Sequence, residues 1–267
     1  MGSLSLTGRG NEELMMQPKK QENKKMIHNN KKGMTLVELL VVLVITLLVS
    51  GAMYAAYRGQ QKSYFAQEQV ARMQQTLRTA EILMTREIRM AGYGYSTATL
   101  TASANTTIQS ANATAIRFTM DLDGNGTSTD PNEDVTYRYE PADREISRNT
   151  GGGNMAIAQN IDAFEFQYAV DANPPDGAID TNATGAIVWT TTPANSRRVR
   201  AVRFWILAMS DADDPNYTNP NTYYVGNKVA GNCYKCNPDA NCTNAINCQR
   251  RYRLLESAVR ARNQGLP

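Results

Sequence analysis

The sequence predicts an α+β protein in which one long N-terminal α-helix packs on an antiparallel β-sheet head. Three observations predict it. Residues 34–91 contain no proline; their first half is apolar nearly all round and their second half carries one apolar stripe. From Ala115 onward the apolar residues alternate instead. Helix also precedes strands rather than alternating with them, which favours a sheet with the helix laid on one face.

The 267 residues leave room for one domain of ordinary size beyond a membrane segment. Net charge is +3, unevenly placed. Residues 1–33 hold seven Lys or Arg against three Glu, and the remainder holds 21 basic against 22 acidic residues. The basic balance therefore belongs to the N-terminal arm and gives no sign that the rest binds nucleic acid. The only histidine, His28, lies in that arm. Residues 34–267 thus lack His-based acid–base, nucleophilic and zinc chemistry.

Leu39 to Tyr57 carries no charge. A helix of that length crosses the hydrocarbon of a bilayer, roughly 30 Å. Lysines crowd its N-terminal side, so the N-terminus stays in the cytoplasm and everything after Arg58 is exported. A cleaved secretory signal has a shorter apolar region with small residues at a cleavage site after it; this run is longer and continues into more helix. Glu38 stands at its head, where a lone carboxylate is costly and usually partnered. It can rest in the headgroup layer on the helix dipole. It can instead meet a cation from another chain, which sets register, because a one-turn slip leaves the charge unpaired.

Lys31-Lys32-Gly33-Met34-Thr35-Leu36-Val37-Glu38-Leu39-Leu40 resembles the type IV prepilin processing site. The resemblance implies that a membrane prepilin peptidase cuts between Gly33 and Met34 and N-methylates Met34. It implies that Glu38 then pairs with the terminal amine of Met34 in a neighbouring subunit. Met34 departs from the commoner Phe, and Ala55 stands where a helix-kinking Pro is frequent. A 33-residue leader is long for the family. Met26 would start an eight-residue leader, MIHNNKKG, so residues 1–25 are expected to reflect an upstream start; a precursor beginning at Met1 is the alternative.

Past the membrane, Ala66, Val70, Met73, Leu77, Ala80, Met84 and Ile88 recur at spacings of three and four, one apolar stripe on a polar helix. Gly92-Tyr93-Gly94 is its stop. The whole helix would be about 58 residues, roughly 85 Å. Residues 95–114 read as a surface loop with a short strand. AIRFTMDL, DVTYRYE, REISRN, IDAFEFQYAV, RVRAVRFWILAM and RYRLLESAVRAR read as strands. A tight hairpin is expected at Tyr139–Arg144, with breaks at Gly151-Gly152-Gly153 and at 173–177.

The strand RRVRAVRFWIL and the closing RYRLLESAVRARNQG are similar to PilW-type minor pilins, relatives of the J-type minor pseudopilins of type II secretion. That resemblance implies a pilin-like fold and a structural subunit, not an enzyme, that helps prime or cap a filament. The expected divisions are a leader (1–33), a transmembrane and filament-core helix (34–57), an amphipathic helix (58–92) and a β-rich head (93–267) with a Cys-rich loop (231–249). The implied partners are prepilin peptidase, other major and minor pilins, and the assembly platform of the inner membrane. The implied location is the inner membrane, single-pass with a periplasmic head, and then the pilus or cell surface.

Three constellations carry chemistry of their own. Asp121, Asp123, Asn125 and Thr127, with Glu133 or Asp134 closing, offer alternate oxygens around Gly126, a pattern suited to Ca²⁺. The flanks are strands rather than helices, and a polar hairpin loop is the plain alternative. Cys233, Cys236, Cys242 and Cys248 fit either two disulfides or a four-thiolate zinc site. Export favours disulfides, and the spacing leaves all three pairings open. Arg197, Arg198, Arg200 and Arg203, with Arg250, Arg251 and Arg253, could line a DNA-binding face; ordinary solvated strand faces are the preferred reading.

Two other functions are weighed against a minor pilin. One is a minor pseudopilin of type II secretion. The other, of a different class, is a membrane-anchored periplasmic binding module that never assembles. No catalytic triad or Gly-rich phosphate loop is present to suggest an enzyme.

Overall fold

The computed structural model describes residues 33–95, 107–172, 176–261 and 263. Residues 1–32, which hold all but Gly33 of the expected leader with its lysines and Met26, residues 96–106, where a loop with a short strand was expected, and Asn173-Pro174-Pro175 lie outside the described residues. The chain forms two units, Met1–Ala56 and Tyr57–Pro267. The helix α1 (Leu36–Arg89) begins in the first and ends in the second.

In the first unit Thr35 is the N-cap. Its Oγ1 accepts the Glu38 N–H at 3.2 Å and its carbonyl accepts the Leu39 N–H at 3.1 Å. From Met34 to Ala56 every residue is exposed. Each Leu, Val or Ile left in water forgoes roughly 1.5–3 kcal/mol of burial, so this segment is shaped for apolar surroundings.

In the second unit α1 buries Met73, Leu77, Ala80, Met84 and Ile88. The apolar stripe faces the core, as its spacing predicts, while Ala66 and Val70 are only partly covered. Gln69 is buried too, a polar member the stripe did not announce. After Arg89 the chain turns through Gly92 and Gly94, both at positive φ. The Gly92 N–H then donates to the Thr119 carbonyl at 2.8 Å, tying the helix end to a strand.

The strands are β1 (Ile108–Ala111), β2 (Ala115–Thr119), β3 (Asp134–Glu140), β4 (Glu145–Asn149), β5 (Asn154–Gln159), β6 (Ile161–Val170), β7 (Trp189–Thr190), β8 (Val199–Met209), β9 (Thr222–Tyr224), β10 (Cys233–Lys235), β11 (Asn244–Ala245) and β12 (Tyr252–Arg260). Among the described residues they form three sheets where one was expected. The first is an antiparallel meander, β1-β2-β3-β4-β5; the second is antiparallel in the order β12-β8-β6-β7. The third, β11-β10-β9, is small and built from the cysteine segment.

One core joins the helix stripe to both large sheets through Phe118, Tyr137, Phe166 and Phe204. Phe164 and Phe166 meet edge to face with centroids 4.6 Å apart. A second core lies on the other face of the second sheet, where Ala163, Trp205, Leu207 and Tyr252 sit under Val225 and Ile246. The second sheet is thus covered on both faces, which is why nine of the eleven residues of β8 are buried. Alternation alone had suggested one covered face.

Candidate functional site

Gly33 and Met34 precede the helix and are exposed. Glu38 is the third residue of α1, the position from which a carboxylate meets the unpaired N–H groups and positive dipole of the first turn. Thr35 and Glu38 therefore stand as Thr-x-x-Glu, a capping-box spacing. The same residues that form the sequence motif also start the helix.

The loop between β2 and β3 brings together Asp121, Asp123 and Glu133, and one carboxylate oxygen from each lies within 4.8 Å of the other two. Asp121 and Glu133 are each 1% exposed. Asp121 accepts the Gly124 N–H at 2.6 Å and the Gly126 N–H at 2.8 Å. Burial by itself would raise the Asp121 pKa, but these donors outweigh it and hold the carboxyl below its ordinary value. Glu133 accepts the Leu122 N–H at 2.7 Å. The other expected ligands do not converge. Asn125 turns its Oδ1 to the Thr127 N–H at 2.8 Å, and the Thr127 carbonyl accepts from the Tyr95 hydroxyl at 3.1 Å. Asp134 points to Arg117, with an N–O distance of 2.5 Å. One cation at the usual Ca–O distance of about 2.4 Å could reach oxygens up to about 4.8 Å apart. The three carboxylates fit such an ion, each oxygen keeping a lone pair beyond its N–H bond.

The four cysteines form two disulfides, Cys233–Cys242 and Cys236–Cys248. The zinc reading is thereby replaced: paired sulfurs have no thiolate to offer a metal. The interlaced bridges hold β9, β10 and β11 over the outer face of the second sheet. There Gly226 (φ +85) passes so close to Glu165 that a Cβ would lie 2.1 Å from its Oε1. Burial raises the pKa of both Glu165 and Asp162 beneath this cover.

Two family models match the chain. The prokaryotic N-terminal methylation motif covers residues 28–54, and the type IV pilus-assembly protein W model covers residues 137–263. The chain is similar to a prepilin at its N-terminus and to the PilW family over most of its head. Among curated proteins none matches it. A solved type IV-like pilin of Thermus thermophilus is 12% identical, with a TM-score of 0.39 over 72% of this chain and 98% of that one.

The PilW match takes in the meander from β3, the second sheet and the cysteine cover. It leaves the acidic loop outside. Inside it, the arginines do not form one free basic face. Arg200 binds Asp171 at 2.7 Å, Arg250 binds Asp213 at 2.6 Å and Arg251 binds Asp214 at 2.9 Å. Arg203 lies between the rings of Trp189 and Trp205 and donates to Gln167. These contacts pin loops and the cysteine-loop face. Sequence reading missed them because the acids and Trp189 lie far along the chain or in irregular segments.

Proposed function

We propose that this chain is a minor pilin subunit that matures by loss of residues 1–33 and N-methylation of Met34. Residues 34–57 anchor it in the inner membrane, with the leader in the cytoplasm and the head outside. After processing, the assembly platform moves it into a filament among other pilins. The exposed apolar helix packs there against sibling helices, and Glu38 meets the Met34 amine of a neighbour. Its role is structural, inserted in the filament or priming it through its N-terminal helix. One observation carries the reading: Gly33, Met34, the Thr35 cap and Glu38 fall in register at the head of a helix whose next eighteen residues are uncharged and exposed.

Mass spectrometry of the N-terminal peptide, from membranes and from sheared surface filaments, tests it. A peptide beginning with N-methylated Met34 in the sheared fraction is the expected result. A peptide still carrying Lys31-Lys32-Gly33 in every fraction would leave Glu38 no amine to meet and would favour an anchored module.

The convergence of Asp121, Asp123 and Glu133 supports a further element of this reading, a Ca²⁺ ion bracing the β2–β3 loop. Calcium is expected to raise the thermal midpoint of the purified chain in detergent, and Glu133→Gln to abolish the rise. An unchanged midpoint at millimolar calcium (the weak end of protein sites) sinks this element and leaves the pilin reading standing.

A further inference from the structure

We propose that the head polymerises through its two open sheet edges, β5 of one copy adding antiparallel to β12 of the next. This rests on the anchored-pilin reading, since it requires copies whose helices run the same way.

Among the described residues β12 is an end strand of the second sheet, with no strand paired to its outer side. It pairs with β8 residue for residue from Tyr252↔Met209 to Arg260↔Ala201, with no bulge. It contains no proline and no lysine, and its charges are Arg253, Glu256 and Arg260. Natural edges of this length are normally blunted by such devices, because a free row of N–H and C=O groups invites another strand. Flanking bonds fix which groups are free. The Ala261 N–H donates to the Arg200 carbonyl and the Ser210 N–H to the Arg251 carbonyl. Odd-numbered residues of β12 therefore bond to β8, and Leu254, Glu256 and Ala258 point their backbone groups outward. In the first sheet the Tyr139 N–H donates to the Thr114 carbonyl. Carried across β3 and β4, that alternation makes Arg148 and Met155 a bonded pair and turns Asn154 and Ala156 outward from β5.

The two edges flank α1 and run in opposite directions. β12 starts opposite Met209, at the end of β8 where Asp211 and Ala212 meet Arg72 and Gln69 of the helix. It then advances along α1, with Ser257 lining a groove beside Ile82 and Thr85. β5 starts beside Arg148, which binds Glu87 near the helix C-terminus. It ends next to Asn160, whose carbonyl accepts the Met209 N–H. So β12 runs with α1 and β5 runs against it. Gln75 lines both flanking grooves, of about 560 Å³ on the β5 side and about 700 Å³ on the β12 side.

This geometry selects the occupant. Antiparallel pairing of β12 with β12 would oppose the two helices, which copies anchored in one membrane cannot do. Antiparallel pairing of β12 with the partner's β5 keeps them co-directional. It is a head-to-tail contact that leaves an edge free at each end, so it propagates. The side chains agree. Met155 and Ile82 are 57% and 61% exposed in a single chain. Met155 shares the α1 side of its sheet with Arg148. When the partner's Ala156 faces Glu256, the partner's Met155 falls opposite Ser257 and covers Ile82. β5 itself carries no charge to desolvate.

The test uses the full chain in producing cells. Met155→Cys and Ser257→Cys in one chain should give a ladder of disulfide-linked dimers, trimers and longer species on non-reducing gels. The two single variants produced together should give dimers only, and either alone none above wild type. Ala258→Pro removes an outward N–H and no bond to β8; added to the cysteine pair, it should abolish the ladder. Mature chain beginning at Met34 without cross-linked species overturns the edge pairing alone. So does Ser257→Cys dimerising by itself as strongly as the pair, or a ladder that persists with Ala258→Pro. A retained leader overturns the underlying reading and the pairing with it.

Discussion

Gly226 shows how one residue fixes the cover over the second sheet. Its backbone lies at φ +85 against the Glu165 carboxylate, where any side chain would overlap. Gly226→Ala is therefore expected to destabilise the chain by about 1–3 kcal/mol, read as a lower denaturation midpoint. An unchanged midpoint would mean that the loop relaxes freely and that the cover is not locked there. Gly94 has the same role at the helix exit, since a Cβ would lie 2.1 Å from the Asp121 carbonyl oxygen. In the sequence Gly226 looks like an ordinary loop residue, and Gly94 reads only as part of the helix stop. Glu38 is the opposite case: a lone acid heading an uncharged run stands out in the sequence, and the structure adds the Thr35 cap beside it.

Among the elements, α1 depends on a polar clamp as well as its apolar stripe. Glu87 accepts from Arg148 at 2.9 and 3.0 Å and from the Tyr137 hydroxyl at 2.5 Å. Burial first, and then Glu87, push the Tyr137 pKa far above its ordinary value, so the phenol is a fixed donor at any physiological pH. Glu87→Ala would leave Arg148 and Tyr137 facing a gap. A loss of about 3 kcal/mol follows for a largely buried ion pair broken on one side, and Glu87→Gln should recover part of it. A loss within error of zero for Glu87→Ala would place the helix–sheet attachment in the apolar stripe alone. This clamp was not legible in the sequence, because Glu87 and Arg148 are 61 residues apart and each looks like a solvated charge on its own element. β5 was missed for another reason. NMAIAQ has small residues and no alternation, and only the pairing with β4 makes it a strand.

Over the whole molecule, buried acids of opposite tendency set the response to pH. Burial alone would raise the Asp171 pKa, but Arg200 and the N–H groups of Asp176 and Gly177 bring it below its ordinary value. That carboxylate stabilises the fold above its unfolded pKa, near 4, and the contribution is lost as pH falls through the lower folded value. Asp162 behaves the other way. Its pKa is raised by burial, so its contribution is complete below the unfolded pKa and is lost as pH rises through the folded value. In thermal unfolding of the purified chain between pH 3 and 8, Asp171→Asn should lower the midpoint at pH 7 and flatten its fall in acid. Asp162→Asn should raise the midpoint at pH 7 and leave it unchanged at pH 3. A lower midpoint at pH 7 for Asp162→Asn would mean that its contacts with Arg144 and Tyr252 outweigh its desolvation.

The long helix, its change from all-round apolar to striped, the in-register Gly33–Glu38 motif and most long strands are legible from residue order alone. These are local properties: periodicity, a charge in a run of apolar residues, and β-branched or aromatic alternation act over a few neighbouring residues. Packing in three dimensions set the division into three sheets, the Cys233–Cys242 and Cys236–Cys248 pairing, the choice of Glu133 over Asp134 in the acidic loop and the opposed directions of β5 and β12. Each depends on which distant segments meet, and a contact between residues far apart along the chain leaves no spacing in the sequence to read.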